Sequence, residues 1–124
     1  MEKKRIMVVE DERIIAHHLA MQLTDLGYDV VATAYSGEEA VEKAGEVRPD
    51  LVLMDIVLAG EMDGIQAAER IMALSGTPVV YMTAYADDET FGRAILTCPS
   101  GYILKPVEKK QLYVAIELAL QRKK

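Results

Sequence analysis

Cysteine is almost absent: Cys98 stands alone, so no disulfide can close within the chain and no pair of thiolates exists to hold zinc. Cys98 itself is expected to be a small, semi-buried filler. Long apolar runs are missing too. Leu51 to Met54 and Pro78 to Met82 fall far short of the roughly 20 residues that a membrane-spanning helix requires, so no membrane insertion is expected. The N-terminal Met-Glu-Lys-Lys-Arg leads directly into a short strand-like segment, without the apolar stretch and cleavage site of a secretory signal. A cytoplasmic location is expected. Basic charge is in deficit, with 14 Lys and Arg against 20 Asp and Glu and a net charge of -6. Polyanions are held by cations neutralising phosphates, so direct nucleic-acid binding is not expected. The basic run Arg122 to Lys124 fits a frayed, solvated helix end. Repeats, linkers and low-complexity segments are all lacking.

What is present is the composition of a folded domain. The 124 residues, 51% apolar and 27% charged, suffice for one sizeable core and not for two domains of ordinary size. A single domain over 1–124 is expected. Short runs rich in valine and isoleucine alternate with longer stretches of helical spacing, the pattern of a parallel sheet covered on both faces. The strand candidates are Arg5 to Glu10, Asp29 to Ala34, Leu51 to Asp55, Pro78 to Thr83 and Gly101 to Leu104.

Five helices fall between and after them. The first runs from about Glu12 to Leu26, with Ile15, Leu19, Leu23 and Leu26 on one face and Gly27 as its stop. Ser36 and Glu39 have capping-box spacing for a second, which Pro49 ends near Val47. Gly64 to Leu74 supplies the third. The fourth, Asp87 to Leu96, has a thin apolar face and contains Gly92, which costs about 1 kcal/mol against alanine; this helix is expected to be mobile. The last, Glu108 to about Lys123, carries Leu112, Ala115, Ile116 and Ala119 on one stripe.

Ligands of open parallel sheets bind beyond the carboxyl ends of the strands, and here those ends are polar. The first strand ends in Glu10, Asp11 and Glu12, the third in Asp55, the fourth in Thr83 and the fifth in Lys105. Nucleotide-binding sheets place glycines after the first strand so that the backbone can approach a phosphate. This chain places three carboxylates there, and neither G-x-G-x-x-G nor G-x-x-x-x-G-K-[ST] occurs. Such an edge attracts a cation first. Hard oxygens from Asp11 and Asp55, completed by water, suit magnesium, with manganese as a substitute. Taken singly, each residue has an ordinary explanation. Acids favour the positive end of a helix, Asp55 could cap or turn, and Lys105 could be solvated. Asp55 is the hardest to dismiss, because it closes the apolar run Leu51 to Met54.

Together the segments Val-Val-Glu-Asp-Glu, Leu-Val-Leu-Met-Asp, Met-Asp-Gly-Ile, Val-Val-Tyr-Met-Thr-Ala and Gly-Tyr-Ile-Leu-Lys-Pro resemble the receiver domain of response regulators, in order and over essentially the whole chain. The resemblance implies a flavodoxin-like, doubly wound (βα)5 α/β fold, with a five-stranded parallel sheet in the order 2-1-3-4-5 flanked by five helices; a member of this family is itself a standard example of that topology. It implies Asp55 as phosphoryl acceptor and Asp11 and Asp55 as ligands of Mg2+ or Mn2+, joined by the backbone carbonyl of Val57 and by Glu10, directly or through water. It further implies Thr83 and Lys105 as partners of the phosphoryl group, a cis Lys105-Pro106 peptide, and Thr83 with Tyr102 as the switch.

The implied function is that of a two-component phosphorelay. The donor would be a sensor histidine kinase or a phosphotransfer protein, or a small phosphoryl compound, and the chain would catalyse only its own phosphorylation and dephosphorylation. The effector would dock on the face formed by the fourth helix, fifth strand and fifth helix, with a homodimer as a further option. Val114 and Leu118 lie outside the apolar stripe of the last helix, and either join such a contact or pack on a flank of the sheet. His17 and His18 fit a solvated helix face rather than a phosphoryl donor.

Some positions depart from the family pattern. Glu10 stands where aspartate is common and Ala59 where proline is frequent, the loop after Asp55 is one residue longer, and Cys98 and Pro99 fill a turn where glycine and alanine are usual. Two other classes compete. A metal-dependent phosphatase with an aspartate nucleophile would carry Asp-x-Asp, whereas Asp55 is followed by Ile56 and Val57. A receiver-like module that works without phosphorylation would typically lack the acceptor, the acids or the lysine, all of which are present.

Overall fold

The computed structural model describes residues 2–84 and 87–122. Five parallel strands, β1 (Arg5–Val9), β2 (Asp29–Ala34), β3 (Leu51–Asp55), β4 (Val79–Thr83) and β5 (Gly101–Leu104), lie in the order β2-β1-β3-β4-β5. The helices are α1 (Arg13–Asp25), α2 (Gly37–Val47), α3 (Gly64–Ser75), α4 (Asp88–Leu96) and α5 (Lys109–Arg122). The central strands read as unbroken apolar runs because both of their faces are covered. Ile6, Val8, Leu51, Leu53, Val80 and Met82 point into one core layer with Leu19, Leu23, Leu112, Ile116 and Ala119 of α1 and α5. Met7, Val9, Val52, Met54, Val79 and Tyr81 point the other way, toward Ala40, Ala44, Ile65, Ala68, Ile71 and Ala94 of α2, α3 and α4. The alternation along each strand is the two-residue pleat. The β1–β2 register slips by one residue between Ile6 and Met7.

Helix boundaries agree with the sequence to within a residue or two, and the differences have local causes. Glu12 is the N-cap of α1 but makes no side-chain cap bond, and Gly27, at φ +95°, follows the C-cap Leu26. At α2 the Ser36 hydroxyl accepts from the Glu39 N–H at 3.1 Å, as its spacing predicts. The reciprocal bond reaches one residue further back, with Tyr35 N–H donating to Glu39 Oε1 at 2.6 Å. Asp63 and Gln66 form a full capping box on α3, which the sequence reading missed.

Helix α4 buries a single side chain, Ala94, in keeping with its thin apolar face. Cys98 corrects an expectation: it is exposed, with φ +53°. Its backbone turns the chain between α4 and β5 in the left-handed region, which lifts the side chain out of the core. The reach of the last helix to Lys123, and the basic run ending at Lys124, fall outside the described residues. Among the described residues, no helix is long and apolar enough to cross a membrane.

Candidate phosphoacceptor site

All parallel strands end at one edge, so the residues that follow them converge there. Asp55 is the last residue of β3 and Thr83 the last of β4; Glu10 follows β1 and Lys105 follows β5. Sheet hydrogen bonding extends past the strands to hold them, since Glu10 N–H donates to the Ala34 carbonyl at 3.0 Å and Lys105 N–H to the Thr83 carbonyl at 2.8 Å. Glu10, Asp55 and Thr83 are all buried polar residues. Burial of this kind requires partners.

For the two carboxylates Lys105 supplies them. Its ammonium lies 2.7 Å from Glu10 Oε1 and 2.9 Å from Asp55 Oδ2, bridging both carboxylates. Burial works to lower the pKa of Lys105, but the hydrogen bonds and charges of Glu10 and Asp55 outweigh it and raise the pKa above the ordinary lysine value. The ammonium therefore stays charged at neutral pH. Glu10, Asp11 and Asp55 each offer an oxygen, and these oxygens lie within 4.8 Å of one another. Three hard carboxylate oxygens at that separation fit the donor chemistry of magnesium or manganese.

The remaining carboxylate bonds come from backbone amides. Glu12 N–H donates to Glu10 Oε2 at 3.1 Å, Val57 N–H to Asp55 Oδ1 at 3.2 Å, and Ala59 N–H to Asp11 Oδ2 at 3.0 Å. The loop after Asp55 thus wraps back onto the acids. Sequence reasoning missed Ala59 and Glu12 because a backbone N–H leaves no mark on residue type. The Lys105-Pro106 peptide is cis.

Tyr102 lies half-buried in β5. Its ring stands edge-on to Tyr81 at 6.4 Å and to Phe91 of α4 at 5.2 Å, a contact that the sequence did not reveal. Its hydroxyl is buried with no hydrogen-bond partner among the described residues. Burial, then the charge of Asp87, raises its pKa, so the phenol is held neutral. A buried hydroxyl without a partner costs about 1–3 kcal/mol. Tyr102→Phe, which removes the hydroxyl and keeps the ring, is expected to raise unfolding stability by about 1 kcal/mol. Urea denaturation of the two proteins checks this, and a loss of stability would reveal a partner for the hydroxyl.

Beside β5, the open edge of the sheet and α5 enclose a groove of about 1280 Å³ lined by residues such as Tyr102, Leu104, Val114 and Leu118. Val114 is 47% and Leu118 55% exposed, so neither is packed away on a flank of the sheet. His17 and His18 are both exposed.

The sheet order, the two helical layers and the polar carboxyl edge define a flavodoxin-like α/β protein. Within that class the chain belongs to the response regulator receiver domain family, whose model matches residues 6–117. The transcriptional regulatory protein PdtaR of Mycobacterium tuberculosis is 39% identical over 119 residues, which cover 96% of this chain and 58% of PdtaR. The DNA-binding response regulator MtrA of the same organism is 35% identical over 120 residues, 97% of this chain and 52% of MtrA. The chain therefore spans a little over half the length of these relatives. Among solved structures, the signal receiver domain of a modulated diguanylate cyclase from Desulfovibrio desulfuricans superposes with a TM-score of 0.93 at 42% identity, covering 98% of this chain and 97% of that one. A CheY-like receiver domain protein from Methanospirillum hungatei gives 0.90 at 28% identity, covering 98% and 97%.

Proposed function

We propose that residues 1–124 form a single receiver domain that accepts a phosphoryl group on Asp55 from the phosphohistidine of a sensor histidine kinase or phosphotransfer protein, in a divalent-metal-dependent reaction. One observation carries this reading: the acceptor carboxylate is buried at the end of β3, with the Lys105 ammonium 2.9 Å from Asp55 Oδ2. A carboxylate oxygen of Asp55 attacks phosphorus, the P–N bond breaks, and the imidazole departs with the electron pair, leaving an acyl phosphate. Phosphoryl transfer needs positioning and charge stabilisation more than covalent chemistry from the protein. Lys105 provides a fixed positive charge for the phosphoryl oxygens, and Val57 N–H orients the carboxylate.

Asp11, Asp55, the Val57 carbonyl and Glu10, directly or through water, would hold Mg2+ or Mn2+. A divalent cation bound there supplies further neutralisation of phosphoryl charge. Thr83 hydrogen-bonds the transferred group and Tyr102 moves into the space that Thr83 leaves, shifting a pre-existing equilibrium between two packings. The output face comprises α4, β5 and α5, where Phe91, Ile95, Leu104, Val114 and Leu118 are exposed; an effector or a second copy docks there. The setting is cytoplasmic, and the domain itself neither binds nucleic acid directly nor inserts into a membrane.

Intact mass after incubation with acetyl phosphate or phosphoramidate and magnesium tests the acceptor. Wild type is expected to gain one phosphoryl group, and Asp55→Asn or a chelator to abolish the gain. Thr83→Ala is expected to keep the gain while losing most of the change in α4 and β5 hydrogen exchange that follows it. A phosphoryl group retained by Asp55→Asn would place the acceptor elsewhere. Absence of any gain, from small donors and from a kinase alike, would make the domain a phosphorylation-independent module. An undiminished exchange response in Thr83→Ala would remove Thr83 from the switch.

A further inference from the structure

We propose that Glu10 makes Lys105 a built-in competitor of the divalent cation, so that metal affinity is set by an ammonium already shared between Glu10 and Asp55. The proposal deepens the metal-dependent acceptor reading above and rests on it. Of the three carboxylates within 4.8 Å of one another, two are ion-paired with Lys105 and one, Asp11, is not.

Glu10 is 1% exposed, and both of its oxygens are engaged, Oε1 by Lys105 at 2.7 Å and Oε2 by the Glu12 amide at 3.1 Å. Each oxygen of this carboxylate thus already carries one contact, and a new ligand must compete for it or share the oxygen. Asp55 is held in the same way, by Lys105 on Oδ2 and the Val57 amide on Oδ1. A cation entering the cluster must displace the ammonium from these oxygens or share them with it, against the repulsion of two positive centres a few ångströms apart. That repulsion is strong where solvent screening is poor, and the Lys105 side chain is only 19% exposed.

The residue type at position 10 matters to this competition. An aspartate would carry its carboxylate one methylene closer to the backbone of β1 and further from Lys105. The glutamate spans the gap, giving the ammonium a second anchor that Asp55 alone does not provide. Lys105 thereby serves as the resident counter-ion of the acids as well as a partner of the acceptor, and it leaves Glu10 when the divalent ion takes its place.

The test is a double-mutant cycle on Mn2+ affinity, measured by calorimetry and by the spin resonance of free Mn2+, at fixed pH and ionic strength in unphosphorylated protein. Lys105→Met is expected to tighten Mn2+ binding about tenfold or more, and charge-preserving Lys105→Arg to stay within about twofold of wild type. In a Glu10→Gln background the gain from Lys105→Met is expected to shrink to about threefold or less, since the ammonium is then anchored by Asp55 alone. Magnesium is likewise expected to raise the thermal midpoint of Lys105→Met more than that of wild type, because binding to the folded state adds stability in proportion to affinity.

Unchanged or weaker binding by Lys105→Met would overturn the proposal while leaving the acceptor and its metal site standing. An equal gain in both backgrounds would overturn the role of Glu10. Failure of all four proteins of the cycle to bind Mn2+ would remove the proposal together with the metal-dependent part of the function.

Discussion

Gly64→Ala is expected to cost more than about 3 kcal/mol of stability, a large share of the 5–15 kcal/mol typical of a domain. A Cβ built at Gly64 falls inside the van der Waals envelope of the Asp55 carbonyl oxygen and lies 2.8 Å from Ile56 Cα and 2.9 Å from Asp55 C. Those atoms are backbone of a buried strand end, so no side chain can swing aside to relieve the clash. Gly64 N–H also donates to the Ile56 carbonyl at 2.9 Å, pressing the start of α3 against the peptide that follows Asp55. Any relief must move either α3 or Asp55. The variant is therefore expected to lose stability in urea and, under conditions where it remains folded, to accept phosphate more slowly than wild type. A near-neutral Gly64→Ala would mean that α3 sits further from β3 than described.

Leu112→Ala is expected to cost about 2–5 kcal/mol, the range for removing a fully buried leucine. Leu112 is 0% exposed and shares its core layer with Val80, Met82, Ile103 and Ile116, so it fastens α5 to the central strands. Leu118→Ala, on the same helix but facing the groove beside β5, is expected to change stability by less than about 0.5 kcal/mol. Paired urea titrations with a shared m-value separate the two sites. Comparable losses at both would show that the groove face of α5 is covered in solution, and would point to self-association.

The fold was readable from the chain because the central strands of this sheet have two covered faces. Leu51–Asp55 and Val79–Thr83 are buried throughout, so they appear as continuous apolar runs whose ends are sharply polar. The acids and the lysine of the edge were readable for the same reason: a charge closing such a run needs a partner, and Lys105 is that partner for Glu10 and Asp55. What stayed hidden depends on groups common to every residue or on approach through space. The amides of Glu12, Val57 and Ala59 are backbone, and the contact of Phe91 with Tyr102 joins α4 to β5 across a turn. Cys98 was misjudged because its hydrophobicity suggested burial, whereas the left-handed turn before Pro99 determines where its side chain points.

Helix α4 is joined to its surroundings by the Ala94 side chain, the Phe91–Tyr102 ring contact, the Tyr81–Thr97 hydroxyl pair at 2.7 Å and the exposed Arg93–Asp63 ion pair at 2.9 Å. Exposed ion pairs contribute little, so this helix is the part of the molecule that can be remodelled without melting the rest. Helix α5, which buries Leu112, Ile116 and Ala119, has no such freedom. A partner straddling both would meet a deformable lip against a rigid wall, and the information in such a complex would be carried by the shape of the lip.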